Sequence, residues 1–250
     1  MLQENDHRIL ERLRPGDVVL DIGGWARPFN RADYVLDQEP YETRGYYGLP
    51  PQGDEPERFT RETWIQRDIC SHEPFPFRDK EIDFAICSHT LEDIRDPLWV
   101  CSEMVRIAKA GYVEVPSRAA ESSRGVEPGQ AGWSHHRWLI DITEGQIRFM
   151  MKYHKLHSHW RLSFPERFLR GMPERRQVQW LFWEGSFAFS EVTIHGVDAI
   201  EAELERYVQA TRPYPAPLLA ADRAWRSARS LSRRATGRLQ RELAALRGRG

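Results

Sequence analysis

The chain has 250 residues, of which 40% are hydrophobic and 29% are charged, a balance typical of a globular protein with one sizeable core. Its longest apolar runs fall far short of a membrane span, and acidic residues stand where a signal peptide needs basic and then apolar residues. The three cysteines are scattered without a C-x-x-C pair, which argues against a disulfide framework. We therefore expect a cytoplasmic protein.

The first informative segment reads V-V-L-D-I-G-G-W-A-R-P at residues 18–28. An apolar run that ends in an acid is typical of a buried parallel strand that carries the chain to a ligand at its carboxyl end. Gly23 and Gly24 follow, and because glycine has no Cβ the backbone can turn sharply and approach a ligand closely.

Four more runs of this kind follow, at residues 34–37, 64–68, 82–87 and 111–116. Residues 98–109 have helical spacing, with one apolar face at Leu98, Cys101, Val105 and Ala108. Strands that alternate with helical segments predict βαβ units and a parallel sheet. The second strand ends at Asp37, whose carboxylate can accept from both hydroxyls of a ribose.

The second half of the chain contains two pairs of β-rich runs. Residues 133–142 and 147–154 flank a glycine-containing turn, and residues 178–183 and 187–194 flank another, so we predict two hairpins. Residues 117–132 have no periodicity and are predicted to be a loop after the fifth strand.

The order and spacing of these motifs over residues 15–117 resemble the class I S-adenosylmethionine-dependent methyltransferases, most closely their type 11 branch. The stretch from Phe75 to Pro97, F-P-F-R-D-K-E-I-D-F-A-I-C-S-H-T-L-E-D-I-R-D-P, is its most specific part. The resemblance implies S-adenosylmethionine as cofactor and an α/β Rossmann-like open sheet, mostly parallel, with a terminal antiparallel hairpin. The pair at 178–194 is the expected equivalent of that hairpin, and the pair at 133–154 an inserted β-hairpin.

The same resemblance assigns the cofactor site. Asp21, Gly23 and Gly24 are expected to hold the amino-acid end of the cofactor, and Asp37 its ribose. Asp68 and Ile69 are expected to meet the adenine, with Ser88 at the floor of the pocket. Residues 1–212 would form the methyltransferase domain, with an acceptor-side insertion at 118–165, and residues 213–250 a Pro-rich linker and a basic amphipathic tail.

Three features depart from the family pattern. Trp25 stands where the family usually has glycine, and Asp93 stands where it usually has histidine. Only 16 residues separate Asp21 from Asp37, and Pro28 lies between them, so the first crossover helix must be short or irregular. A cofactor-binding module without catalysis therefore stays open as an alternative.

The candidate catalytic residues are His136, His135 and His89, because a histidine suits removal of a hydroxyl proton near neutral pH. Neighbouring residues of a strand point to opposite faces, so we expect only one of His135 and His136 to face the cleft. The alternative is that these histidines are structural. No acid or cysteine stands at ligand spacing from His154, His157 and His159, and no metal site is expected.

Five tryptophans follow residue 132, and they either form a core between the hairpins or offer a stacking platform for sugar or aromatic rings. They are Trp133, Trp138, Trp160, Trp180 and Trp183. The sequence predicts an O-methyltransferase acting on a small molecule or a glycan or cell-surface precursor. A nucleic-acid methyltransferase is the other alternative, and the absence of an N-P-P-Y-type tetrapeptide counts against it.

The net charge of −1 is unevenly distributed. Residues 213–250 contain nine arginines, one aspartate and one glutamate, a net +7, which leaves −8 for the rest of the chain. Such a tail either packs back on the domain or, through residues 218–250, attaches the protein to an anionic membrane surface. Because the rest of the chain is acidic, nucleic acid is not expected as a partner.

Overall fold

The computed structural model describes residues 1–49, 52–53, 55–212, 214–218, 220–221 and 224. The predicted membrane-facing segment, 218–250, therefore lies almost entirely outside the described residues. Among the residues that are described, no helix is both long and apolar enough to cross a membrane.

A six-stranded sheet forms the centre of the molecule, in the order β3-β2-β1-β4-β5-β8. Its strands are β1 (Val19–Ile22), β2 (Tyr34–Asp37), β3 (Trp64–Gln66), β4 (Ile82–Ser88), β5 (Ala108–Pro116) and β8 (Val178–Glu184). The first five are parallel, and β8 pairs antiparallel with β5. This confirms the predicted Rossmann-like sheet, whose strand order reverses between β1 and β4, where open α/β sheets bind their ligands.

Two helices flank the parallel part: α1 (Gln3–Leu10), which the sequence analysis missed, and α2 (Pro97–Ile107). Asp96 caps α2 by accepting from the backbone N–H of Trp99 at 3.0 Å. The helix ends two residues earlier than predicted, because Ala108 already pairs with Ile82 at the start of β5. Its buried face includes Val100, Met104 and Ile107 rather than the predicted Leu98 and Val105, which are half-buried.

The inserted hairpin is confirmed as β6 (Trp138–Thr143) and β7 (Gln146–Met151), which pair antiparallel. Its turn residues Glu144 and Gly145 have φ values of 51° and 75°, the positive angles that a tight two-residue hairpin turn needs. Both predicted strands are too long, however. Residues 133–137 form a loop before β6, and residues 152–154 leave the sheet and lead into α4 (Lys155–Ser158).

The predicted hairpin at 178–194 is wrong, because its two strands join different sheets. β8 completes the main sheet, whereas β9 (Ala188–Glu191) pairs parallel with β7 in a second sheet of order β6-β7-β9. The chain turns at Gly185, where φ is 70°. Phe187 and Phe189 then pack against the main core, and the ring of Phe187 lies 5.1 Å from that of Trp183. Burial of these aromatic rings beside α2 directs β9 away from β8.

The remaining helices are short, except the last. They are α3 (Arg118–Glu121), α5 (Glu166–Arg170), α6 (Glu174–Gln177) and α7 (Val197–Thr211), with 3₁₀ turns at Tyr41–Thr43 and Trp160–Leu162. α7 packs Leu204 against a small core that includes Leu156 and Leu162. Just past the predicted domain end, the hydroxyl of Tyr214 donates to the carbonyl of Ser163 at 2.8 Å.

The first crossover contains no helix, as its length and Pro28 predicted. Residues 23–33 run through turns, and Phe29 forms a single parallel bridge with Gln52. The route is fixed from inside the core, because the buried carboxylate of Asp21 accepts from the backbone N–H of Phe29 at 2.9 Å.

Candidate active site

A cavity of about 1000 Å³ opens at the carboxyl ends of the parallel strands. Its lining includes most of the residues expected to bind the cofactor: Gly23, Asp37, Asp68 and Ile69, together with His89. The loop before β6 and the end of the β4 motif line the same cavity with Asp93, Trp133, His135 and His136. The fold thus brings together seven of the ten predicted site residues.

The other three, Asp21, Gly24 and Ser88, lie behind the cavity wall. A Cβ on Gly24 would stand 2.4 Å from Oδ2 of Asp21, so the two residues pack against each other. Burial raises the pKa of Asp21 to about 7 in spite of its bond from the Phe29 N–H. Asp21 therefore shapes the turn after β1. The Ser88 hydroxyl is buried and has no hydrogen-bond partner among the described residues.

Gly23 itself is required by the turn. Its φ is 75°, and a Cβ there would lie 2.2 Å from Oγ1 of Thr90. Thr90 also lines the cavity, and its hydroxyl donates to the carbonyl of Gly23 at 3.3 Å. The backbone of the β1 turn is thus fixed against the β4 motif, where it can approach a ligand closely.

Asp37 is placed to bind a diol at the end of β2. Its Oδ2 accepts from the N–H of Trp25 at 3.0 Å and its Oδ1 from that of Glu39 at 2.9 Å. A carboxylate can accept about four hydrogen bonds, so roughly two remain for a ligand. Burial raises the pKa of Asp37, while hydrogen bonds from backbone N–H groups, those of Glu39 and Trp25 first, oppose that rise.

Trp25 forms part of the cavity wall where the family usually has glycine. Its indole N–H donates to Oγ1 of Thr43 at 2.9 Å, and its ring stacks on Tyr46 with centroids 4.9 Å apart. The substitution is therefore accommodated by a 3₁₀ turn after β2, and the cavity stays open.

At the adenine end expected from the resemblance, Asp68 accepts from Arg95 at 2.6 Å and from the N–H of Cys70 at 2.8 Å. The bond from Arg95 lowers the pKa of Asp68. Ile69 is 7% exposed and offers an apolar surface beside it.

His89 is held between two buried carboxylates. Its Nε2 lies 3.1 Å from Glu114 and its Nδ1 3.4 Å from Glu92. Burial disfavours the imidazolium, but the bonds to Glu114 and Glu92 outweigh it and raise the pKa of His89 to about 9. Glu114 also accepts from the N–H of Leu2 at 2.9 Å, which fixes the start of α1 over the cavity. Neither Glu114 nor Glu92 was among the site residues predicted from the sequence.

Asp93, His135 and His136 form a second charged group, which we call the Asp–His–His cluster. Nε2 of His136 lies 3.5 Å from Oδ1 of Asp93, and Nε2 of His135 lies 3.9 Å from the same oxygen. Burial and the charge of Glu92 raise the pKa of Asp93 to about 6, against the effect of the two histidines. The expectation that only one histidine faces the cleft is wrong, because residues 133–137 are a loop and not a strand.

The buried side of the cluster is fixed by Glu121, on α3. Nδ1 of His136 lies 2.8 Å from Oε2 of Glu121, and the other oxygen of Glu121 accepts from Lys152. Burial lowers the pKa of His136, but the bond to Glu121 reverses that effect and the net change is upward. Glu121 fell in the predicted loop 117–132. The signal for α3 was Ser117, whose hydroxyl caps the helix at the N–H of Ala120.

The tryptophans divide between the two roles considered. Trp138 and Trp183 belong to the main core, and Trp180 packs against a second core cluster. Trp133 instead lines the cavity and stacks on His136, with ring centroids 5.0 Å apart.

The cavity suits a cationic nucleoside cofactor. Two buried carboxylates, Glu92 and Glu114, line it and share the single imidazole of His89 between them. Two acids around one imidazolium leave a net negative charge, which favours a positive ligand beside them. Asp37 keeps free acceptor capacity at the end of β2, where a ribose binds in folds of this type.

Comparison with known proteins gives one family match. Residues 54–113 match the model of a methyltransferase domain. No curated protein matches the chain significantly.

Solved structures give only slight likenesses. A SAM-dependent methyltransferase from Aquifex aeolicus is 17% identical over 46% of this chain and 65% of its own, with a TM-score of 0.30. SAM-dependent methyltransferases from Methanosarcina mazei and Mesorhizobium loti are 15% and 17% identical over 54% and 58% of this chain. The matches cover 85% and 63% of those chains, with TM-scores of 0.35 and 0.33. For five further methyltransferase or related structures, the match covers only 51–57% of the length of the other chain, about half. These scores are too low to support an inference.

The family match covers the β3–β5 region, which supplies Asp68, Ile69 and the β4 motif, and the observed strand order agrees with it. The chain therefore contains a segment similar to a methyltransferase domain, set in a mainly parallel, Rossmann-like sheet.

Proposed function

We propose that the protein transfers a methyl group to a hydroxyl oxygen of a small molecule or of a glycan or cell-surface precursor. The observation that carries the proposal is the position of the Asp–His–His cluster. It lines the same cavity as Asp37, Asp68 and Ile69. A hydroxyl must lose its proton as it is methylated, and histidine and carboxylate side chains perform that task near neutral pH.

The cofactor supplies the electrophilic methyl group, and the chain supplies position. Asp37 holds the ribose through its free lone pairs, and Asp68 and Ile69 border the adenine. Gly23 brings the backbone close to the amino-acid end. Glu92 adds negative charge beside a cofactor that is itself a cation.

Of the three candidate histidines, His136 and His135 serve the acceptor better than His89. A general base must be neutral before it takes a proton, and His89 is held as a cation by Glu114 and Glu92. His136 is oriented by Glu121 through Nδ1, which leaves Nε2 directed to the Asp93 side of the cavity. His89 instead has a positioning role, because its ring links Glu92 and Glu114 in the cavity wall.

The insertion shapes the acceptor side of the cavity. Trp133 presents an aromatic wall beside His136, and such a wall suits a sugar or an aromatic ring. Nucleic acid suits this chain poorly, because residues 1–212 carry a net charge of −8 that would repel phosphates.

Transfer of labelled methyl from S-adenosylmethionine to a panel of phenols, sugars, glycolipids, RNA and DNA tests the proposal. We expect label in a hydroxyl compound, and we expect His136→Gln to lower turnover by about two to four decades with unchanged cofactor affinity. His195→Gln, at an exposed position away from the cavity, is the matched control. Label in nucleic acid alone, or full turnover by the His135→Gln/His136→Gln double variant, would contradict the proposal.

We place the protein in the cytoplasm, with its basic tail in peripheral contact with the inner membrane surface. The support is the +7 charge of residues 213–250, which anionic lipid headgroups attract. That location would bring the cavity near membrane-bound glycan precursors.

A further inference from the structure

We infer that the Asp–His–His cluster is a binding site for one divalent transition-metal ion, with Asp93, His135 and His136 as its ligands. The inference rests on the proposed function, since it states how the cluster acts on the acceptor. No short-range sequence pattern indicates such a site, because Asp93 lies some forty residues before the two histidines.

The spacing of the three side chains is that of ligands around an ion. One ligand atom from each of them lies within 4.8 Å of the others. The two Nε2···Oδ1 distances, 3.5 and 3.9 Å, are too long for hydrogen bonds. Two ligands bound tetrahedrally at about 2.1 Å stand roughly 3.4 Å apart, so small side-chain shifts would close the site.

The hydrogen bonding of His136 is also that of a metal ligand. Its Nδ1 faces Oε2 of Glu121 at 2.8 Å, and Lys152 holds the other carboxylate oxygen. A carboxylate on the far ring nitrogen fixes the tautomer and leaves the near nitrogen free to coordinate, an arrangement general among metal-bound histidines.

The carboxylate oxygen that lies near both histidines, Oδ1 of Asp93, makes no hydrogen bond within the described part of the chain that would explain its position. Oδ1 of Asp93 is buried and has no hydrogen-bond partner among the described residues. The carboxylate of Glu92 lines the same cavity, and its charge acts on Asp93. Such a concentration of negative charge is stabilised by a cation.

The ligand set selects the kind of ion. Two imidazoles and one carboxylate suit Zn²⁺ and its first-row neighbours better than Mg²⁺ or Ca²⁺, which prefer oxygen ligands. Three protein ligands leave at least one position open toward the cavity. An ion there would bind the acceptor hydroxyl and promote loss of its proton to solvent, the Lewis-acid role of catalytic metal ions.

Titration of the full-length, chelator-treated protein with Zn²⁺ by calorimetry, and with Co²⁺ by visible absorption, tests the site. We expect one equivalent of Zn²⁺ to bind and Co²⁺ to give a d–d band. His135→Gln, at an exposed position that should not affect folding, and Asp93→Asn should each weaken binding at least about tenfold. His195→Gln should bind like the parent. No stoichiometric binding by the parent, or equal affinity in all three variants, overturns the inference.

The metal inference and the proposed function can fail separately. If the metal-free protein methylates a hydroxyl at the full rate and His136→Gln abolishes that activity, the cluster acts as a plain base and the inference is wrong. If Zn²⁺ binds and the two ligand variants lose it, yet no hydroxyl compound is methylated, the metal site stands and the proposed function is wrong.

Discussion

Glu121 and His136 form a buried pair, with Oε2 of Glu121 2.8 Å from Nδ1 of His136. The pair joins α3 to the loop before β6, and thus the end of the main sheet to the insertion that lines part of the cavity. Its charge raises the pKa of His136 and directs the other ring nitrogen toward Asp93.

Replacement of Glu121 should therefore act through His136. Glu121→Gln removes the charge that favours the imidazolium, so the pKa of His136 should fall, as followed by NMR titration of the ring protons. Turnover should fall as well, with unchanged affinity for S-adenosylmethionine. Glu144→Gln, in the exposed hairpin turn, is the control. An unchanged His136 titration would contradict the assigned role of the pair.

Asp37 should carry the ribose contact. Asp37→Ala removes a charge-assisted acceptor, whose loss costs about 1.5–3 kcal/mol, so S-adenosylmethionine should bind about tenfold more weakly or worse by calorimetry. Because Asp37 also holds the N–H groups of Trp25 and Glu39, circular dichroism must show that the variant stays folded. Asp198→Ala, on the exposed start of α7, should bind like the parent. Equal affinities would refute the pocket assignment.

The His89–Glu114 pair should make stability depend on pH. The pKa of His89 is raised to about 9, so its contribution is complete below about 6.5 and is lost as the pH rises through 9. The pKa of Glu114 is lowered to about 2 by its bonds to His89 and Tyr112, against burial, so its contribution is lost only as the pH falls from about 4.5 through 2.

Thermal unfolding of the parent and His89→Gln at several pH values checks this. We expect the parent to have the higher Tm, by the largest margin near pH 5–6 and by a shrinking margin from pH 6.5 to above 9. A margin that does not change with pH over this range would mean that the charge of His89 does not contribute.

Gly111 should tolerate no side chain. A Cβ there would lie 2.3 Å from the carbonyl oxygen of Ala85 and 2.7 Å from the ring of Trp183. Gly111→Ala should therefore lower the free energy of unfolding by about 1–3 kcal/mol, measured by urea denaturation. Gly16→Ala, where no atom lies within 4 Å of the new Cβ, is the matched control and should change it by less than about 0.5 kcal/mol.

The basic tail should be dispensable for the fold. Truncation after Leu218 keeps Tyr214, whose hydroxyl bonds to the 160–163 segment, so cofactor affinity and Tm should stay unchanged. If the tail contacts membranes, the full-length protein should co-sediment with anionic vesicles at low salt and be released by added salt, whereas the truncated form should not. Full-length protein that ignores anionic vesicles would remove the support for a membrane location.

The sequence by itself determined the parallel strands and several of the residues at their carboxyl ends that line the cavity. Val19–Ile22 and the glycines after it carry their own signal, since a strand buried on both faces must be apolar and a sharp turn requires glycine. The acids at the ends of neighbouring parallel strands meet at one edge of the sheet, so Asp37 and Asp68 could be placed from order alone.

Only the tertiary structure decided the part of the cavity that surrounds His136. The partners of His136 are Asp93 and Glu121, which reach it from the β4 motif and from α3, and no short-range pattern links residues so far apart in the chain. Tertiary packing likewise decided that β9 pairs with β7, because Phe187 and Phe189 bury their rings against the main core there. A hairpin signal describes the turn, but packing against α2 decided which sheet the strand joined.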